Sequence, residues 1–193
     1  MSSSTQSPTL VHDPRYPIGP FERPALGEPF PAGSLNNAIA SIGELPEQLR
    51  NALDGLDGLD GLDSDQIDTP YREGGWSVRQ LVHHIADSHA NAFIRLRKAL
   101  TEDWPVVEGY SEKEFAELPD SRSAPVEWSL ELIESLHARW VMLLQSMSPE
   151  QFERGFNHSE HGRMTLEFAT NLYGWHSRHH LAHITHLRAQ RGW

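Results

Sequence analysis

The sequence predicts an all-α fold, a four-helix bundle with an extended proline-rich arm at its N-terminal side. Three observations lead there. Four stretches of roughly twenty residues repeat apolar side chains every three or four positions, the helical period. No stretch of strand length alternates apolar and polar residues, and Pro105-Val106-Val107 is too short to count. Prolines gather between the four stretches rather than within them, apart from Pro46. Four amphipathic helices bury their apolar stripes at least cost in an antiparallel-type bundle.

Taken in order, residues 1–15 are rich in Ser, Thr and Pro and are expected to be a disordered tail. Residues 16–193 are expected to form one bundle domain. The arm follows the tail: between residues 14 and 33 lie prolines 14, 17, 20, 24, 29 and 31, which forbid a helix. Its apolar Tyr16, Ile18, Phe21 and Phe30 imply that it lies on the folded body. The first helix is predicted from Ser34 to Leu53, with Pro46 marking a break or kink. The second starts after Ser77, where Ser77-Val-Arg-Gln80 reads as a capping box, and ends near Thr101. The third follows Pro125 and stops before Pro149. The fourth runs from about Thr165 to about Gln190, with Gly192 as its stop. The connections over 103–124 and 148–164 exceed ordinary bundle loops, and such loops tend to carry function. A Leu-Asp-Gly triplet repeat over 53–63 lacks the ligand spacing of a calcium loop and reads as an acidic surface loop.

Composition narrows the function. Sixteen Lys and Arg against 27 Asp and Glu give a formal charge of −11, which repels phosphate backbones and anionic lipid. Neither nucleic acid nor membrane is therefore an expected partner; a small molecule is. There is no cysteine, which excludes disulfides, thiolate metal sites and a cysteine nucleophile and fits a reducing, cytoplasmic setting. No apolar run is long enough to span a membrane, and the first residues lack the basic and apolar parts of a signal peptide.

The outlier is histidine: twelve in all, five of them between 176 and 186. On a helical wheel with Leu172 at zero, His176 and His180 fall at about 40° and 80°, inside the apolar stripe. They are four residues apart on one face. Two buried imidazoles need partners for all their nitrogens and repel if both are charged; one divalent cation satisfies both. His179 and His183 share the spacing but sit at the stripe's edge, where they could support the ligands. A third ligand is expected on the second helix. There the wheel prefers His89, then His84, and rejects His83. His12, His137, His158 and His161 have no partner at helical spacing and read as surface or loop residues. A ferritin-like di-iron site needs glutamates paired with Glu-x-x-His motifs on facing helices; no such motif is read in the chain, and this site ranks low.

Three stretches resemble the DinB/YfiT superfamily of metal-binding four-helix bundles, within it the YfiT branch that includes BstA-like bacillithiol transferases. They are YPIG (16–19), DTPYREGGWSVRQLVHHIADSH (68–89) and WHSRHHLAHIT (175–185). The resemblance covers nearly the whole chain from residue 16. It implies His84, eight residues after Trp76, as the first metal ligand, with His176 and His180 as the others. His89 then becomes a core or supporting residue. It also implies a homodimer and one divalent ion per subunit, zinc by preference or nickel, with an open position for water or substrate. The expected function is metal-dependent hydrolysis. The alternatives are S-transfer from an external low-molecular-weight thiol and a metal-binding bundle without turnover. No general base stands at a diagnostic spacing.

Overall fold

The computed structural model describes residues 13–25, 28–53 and 64–193. Most of the expected tail and the triplet repeat lie outside the described residues. Residues 13–15 form a turn in which Arg15 pairs with Asp13 at 2.8 Å. The arm is extended, as expected, and lies on the body. The indole N–H of Trp175 donates to the Gly19 carbonyl at 3.2 Å, and Phe21 meets Phe168 edge-on, ring centres 5.6 Å apart.

Four long helices follow the expected bounds closely: α1 (Ser34–Leu53), α3 (Val78–Thr101), α6 (Val126–Gln145) and α8 (Leu166–Arg191). The Ser77–Gln80 capping box is present in both directions. Thr165 caps the start of α8, and Gly192 ends it at φ 71°, in the left-handed region that glycine enters freely. Pro46 lies inside α1 without breaking it. No helix among the described residues is long and apolar enough to cross a membrane.

The helices form a ring in which α1 packs on α8 and α6, and α3 on α6 and α8. Pairwise contacts fix their directions. Arg178 bonds Ser41 and Arg188 bonds Asn51, so α1 and α8 run parallel. His83 meets Ser129 and His89 meets His137, so α3 and α6 also run parallel. Arg50 pairs with Glu134 while Gly43 faces Val141, so α1 and α6 are antiparallel. The bundle is thus not the simple antiparallel one expected. Neighbouring parallel helices cannot be joined by a tight turn, because the chain must first travel back the length of the bundle. The α3–α6 connection has that task.

The expectation of no strand is corrected. The short helices α2 (Ser64–Ile67), α4 (Glu112–Ala116), α5 (Pro119–Ser123) and α7 (Pro149–Glu153) fill the connections. A small sheet also joins them: β1 (Val106–Val107) lies parallel to β2 (Gly155–His158), which pairs antiparallel with β3 (Gly162–Thr165). These strands were invisible to periodicity because none exceeds four residues. They tie the two long connections together.

Two apolar clusters build the core. One gathers Leu45, Leu49, Leu81, Ile85, Ile133 and Ile184; the other Ile42, Phe93, Leu96, Trp140, Leu144 and Leu166. Along α3, α6 and α8, His89, His137, His176 and His180 fall between these two sets.

Gly174 marks a close approach of α8 to α1: a Cβ there would lie 2.5 Å from Ala38 Cα. Gly174→Ala is therefore expected to lower stability by ~1–3 kcal/mol through overpacking. Gly43→Ala, whose Cβ would meet only Val141 Cγ2 at 3.4 Å, should be neutral or stabilising through helix propensity. Denaturant titration of both variants tests this.

Candidate metal centre

Helix α8 carries His176 and His180 inward on the face that meets α3, which runs antiparallel to it. This brings His84 opposite His176 and His180. The His176 Nε2 lies 3.1 Å from His180 Nε2 and 3.4 Å from His84 Nε2. One ligand nitrogen from each of the three falls within 4.8 Å of the others. His84 and His180 are buried, and His176 keeps one accessible edge.

The surroundings hold these rings in place. Trp76 covers His84, ring centres 4.6 Å apart. His89 stands behind His176, its Nε2 2.9 Å from His176 Nδ1. His183 stands behind His180, their Nδ1 atoms 3.4 Å apart. His179 stacks on Trp175 at 4.3 Å. His83 points elsewhere: its Nδ1 meets Ser129 Oγ at 2.7 Å and its Nε2 meets the Ala124 carbonyl at 3.2 Å, so both nitrogens are engaged in fastening α3 to the start of α6. The wheel's preference for His89 as the third inward group was geometrically sound, since His89 is fully buried, but it lies one layer behind.

Two histidines taken for surface residues are not. His158 is buried on β2, and His137 is 1 % exposed at the centre of the bundle. A wheel of the third helix could have found His137, because Ile133, His137, Trp140 and Leu144 share one stripe. The expectation of no Glu-x-x-His motif is corrected as well, since Glu134-Ser-Leu-His137 is one, but it builds no di-iron site, because Glu134 is exposed and paired with Arg50.

Burial sets the protonation. Desolvation, reinforced by His179, pulls the His84 pKa down to about 4. Desolvation also holds His176 and His180 well below the usual range, and it lowers His137 to about 4. At neutral pH these rings are neutral, with lone pairs to offer. Three imidazole nitrogens on neighbouring corners suit a divalent cation. At a metal–nitrogen bond of about 2.0–2.1 Å, tetrahedral ligands lie about 3.3 Å apart, close to the two separations measured from His176 Nε2.

Beside this centre lies a cavity of about 210 Å³, lined by His176 but by neither other ring of the trio. Its floor is apolar, with Leu96, Trp140, Phe156 and Met164; Ser88, Tyr110 and Tyr173 bring hydroxyls to it, and Arg95, Glu112 and Glu160 bring charge. Burial raises the pKa of both tyrosines and of Glu112. Sequence reasoning missed this cavity because its walls come from the unexpected sheet and α4. His158, Glu160 and His161 also cluster there. His158 Nδ1 accepts the Glu160 backbone N–H at 3.2 Å, which puts the proton of the neutral ring on Nε2 and leaves no lone pair for a cation.

A helical bundle with inward-facing imidazoles from two antiparallel helices defines a metal-binding bundle class. Residues 23–184 match the DinB superfamily, and the chain belongs to it. Among relatives, a Bacillus cereus protein (strain ATCC 10987 / NRS 248) named "Putative metal-dependent hydrolase" is 48% identical over 183 residues, covering 95% of this chain and 100% of its own. A Bacillus thuringiensis subsp. konkukian protein with the same description matches at the same identity and coverage. Among solved structures, YfiT from Bacillus subtilis, described as "a probable metal-dependent hydrolase with an unusual four-helix bundle topology", superimposes with a TM-score of 0.83. It is 43% identical, and the match covers 93% of this chain and 98% of that one.

The depressed pKa values carry a consequence for stability. Below pH 6.5 the unfolded chain binds protons that buried His84 and His137 refuse until about pH 4. Stability of the metal-free protein should fall as pH drops through this window and level off below it. Urea midpoints measured from pH 7 to pH 5 test this, and a constant midpoint would contradict it.

Proposed function

We propose that the protein is a metal-dependent hydrolase whose divalent ion is held by His84, His176 and His180. The observation that carries this reading is the convergence of three neutral imidazoles, with Nε2 separations of 3.1 and 3.4 Å around His176. The shared description of relatives along their full length supports the hydrolase class. An all-imidazole donor set favours zinc, with nickel next. When bound, such an ion supplies a Lewis acid and makes water ionise near neutral pH.

The chain's own residues supply the rest. His89 and His183 orient two of the ligand rings, and Trp76 shields the third from bulk water. The Tyr110 and Tyr173 hydroxyls, kept protonated by burial, can donate to a carbonyl or leaving-group oxygen in the cavity. The cavity fits a small substrate with an apolar body and a polar end toward Arg95 and Glu112. A cytoplasmic homodimer completes the proposal. Trp128 and Leu132, one turn apart on α6 and 66% and 48% exposed, offer it an apolar face.

His176→Ala and His180→Ala should strip the metal and His84→Ala should weaken its binding, while His83→Ala retains it. Elemental analysis of the purified variants decides, and full metal in the His180 variant would refute the ligand set. For the chemistry, a panel of esters and amides should be turned over by the zinc-loaded protein at rates independent of added thiol. Turnover that requires a low-molecular-weight thiol and an electrophile would replace hydrolysis with the S-transferase alternative.

A further inference from the structure

We propose that Pro46, His137 and His89 form a tautomer relay that fixes the proton of His176 on Nδ1 and so keeps its Nε2 bare for the metal. The inference rests on His176 being a ligand. It begins with a proline. In an α-helix the N–H of residue 46 would donate to the carbonyl of residue 42, and proline has no N–H to give. The Ile42 carbonyl is thereby released from the ladder of α1, and His137 Nδ1 meets it at 2.6 Å.

A carbonyl only accepts, so the proton of His137 sits on Nδ1. Its Nε2 is then a lone pair, 2.8 Å from His89 Nδ1 with the two ring planes only 11° apart. That contact needs a proton from His89 Nδ1. The His89 Nε2 lone pair faces His176 Nδ1 at 2.9 Å, and this contact needs a proton from His176. Three contacts use three protons, one from each neutral ring. His89 and His137 are 0% and 1% exposed, which keeps bulk water from offering either ring another partner. Without the relay, His176 could carry its proton on either nitrogen, and a proton on Nε2 blocks the ion. His89 and His137 are thus positioning residues, and the mid-helix proline is the fixed end of the chain.

Two measurements on the full chain test this. Nitrogen-15 NMR of the metal-free protein at neutral pH should find all three rings protonated on Nδ1. A proton on His176 Nε2 would overturn the relay, whatever the outcome for metal. Competition with a chelator for Zn²⁺ should show His89→Leu binding about ten- to hundredfold more weakly than the wild type. His89→Gln, whose amide oxygen can accept from His176, should recover most of that loss; equal affinity in the two variants would overturn the proposal. Pro46→Ala returns an N–H to the Ile42 carbonyl. It should mix the His137 tautomers and weaken Zn²⁺ binding without lowering thermal stability, and unchanged tautomers would remove the proline from the relay. Failure of the wild type to bind Zn²⁺ would refute the metal reading and leave the NMR result to judge the relay separately.

Discussion

A neutral imidazole has two nitrogens and one proton, and the centre of this protein is organised by that shortage. Each buried ring must place its proton against an acceptor and its lone pair against a donor, or lose several kcal/mol of hydration without return, roughly 2–7 kcal/mol per unsatisfied group. His83 solves this with a hydroxyl and a carbonyl. His137 and His89 solve it with a carbonyl and with each other. Beside those rings the Nε2 atoms of His84, His176 and His180 converge, and a cation is a partner that three such lone pairs can share. The histidine layer therefore interrupts the core, and the fold rests on the apolar clusters on either side of it.

The helix directions make that layer possible. Because α3 runs antiparallel to α8, successive inward turns of one meet successive inward turns of the other in reverse order, and His84 and His89 both reach α8. Because α3 runs parallel to α6, His89 can also meet His137. Parallel neighbours in turn demand a long return connection, and that connection became a wall. β1, α4 and the β2–β3 hairpin close one side of a cavity that the helices alone would leave open. Gly155 permits the closure, since a Cβ there would run into the Met164 carbonyl and Trp104.

Much of this was legible in the sequence, and the limits have physical causes. Helix ends were readable because Ser77, Thr165 and Gly192 act locally, through caps and a left-handed turn. The inward facing of His176 and His180 was readable because a wheel needs only one helix. Which of His84 and His89 comes level with both His176 and His180 was not, because it depends on the depth at which α3 meets α8, and no single-helix pattern encodes depth; the resemblance implied His84, and the fold brings that ring beside the pair. His137 was misplaced because it was judged by its lack of a histidine partner on its own helix, whereas its partner lies across the bundle. The sheet was hidden by the shortness of its strands, which are held by pairing rather than by a pattern of their own.

Local rules of helix design are broken where the four helices meet the site. Pro46 inside α1 costs ~3 kcal/mol relative to an ordinary residue, and Gly174 inside α8 costs ~1 kcal/mol relative to alanine. Histidines occupy positions that Leu or Ile would fill in a plain bundle. Each departure answers a geometric demand: a released carbonyl, a close approach of α8 to α1, a lone pair at a chosen point. A helix designed in isolation would carry none of the three, and functional sites are where such departures tend to gather. A cation that binds only the folded chain would add its binding free energy to stability, coupling occupancy of the centre to the integrity of the bundle.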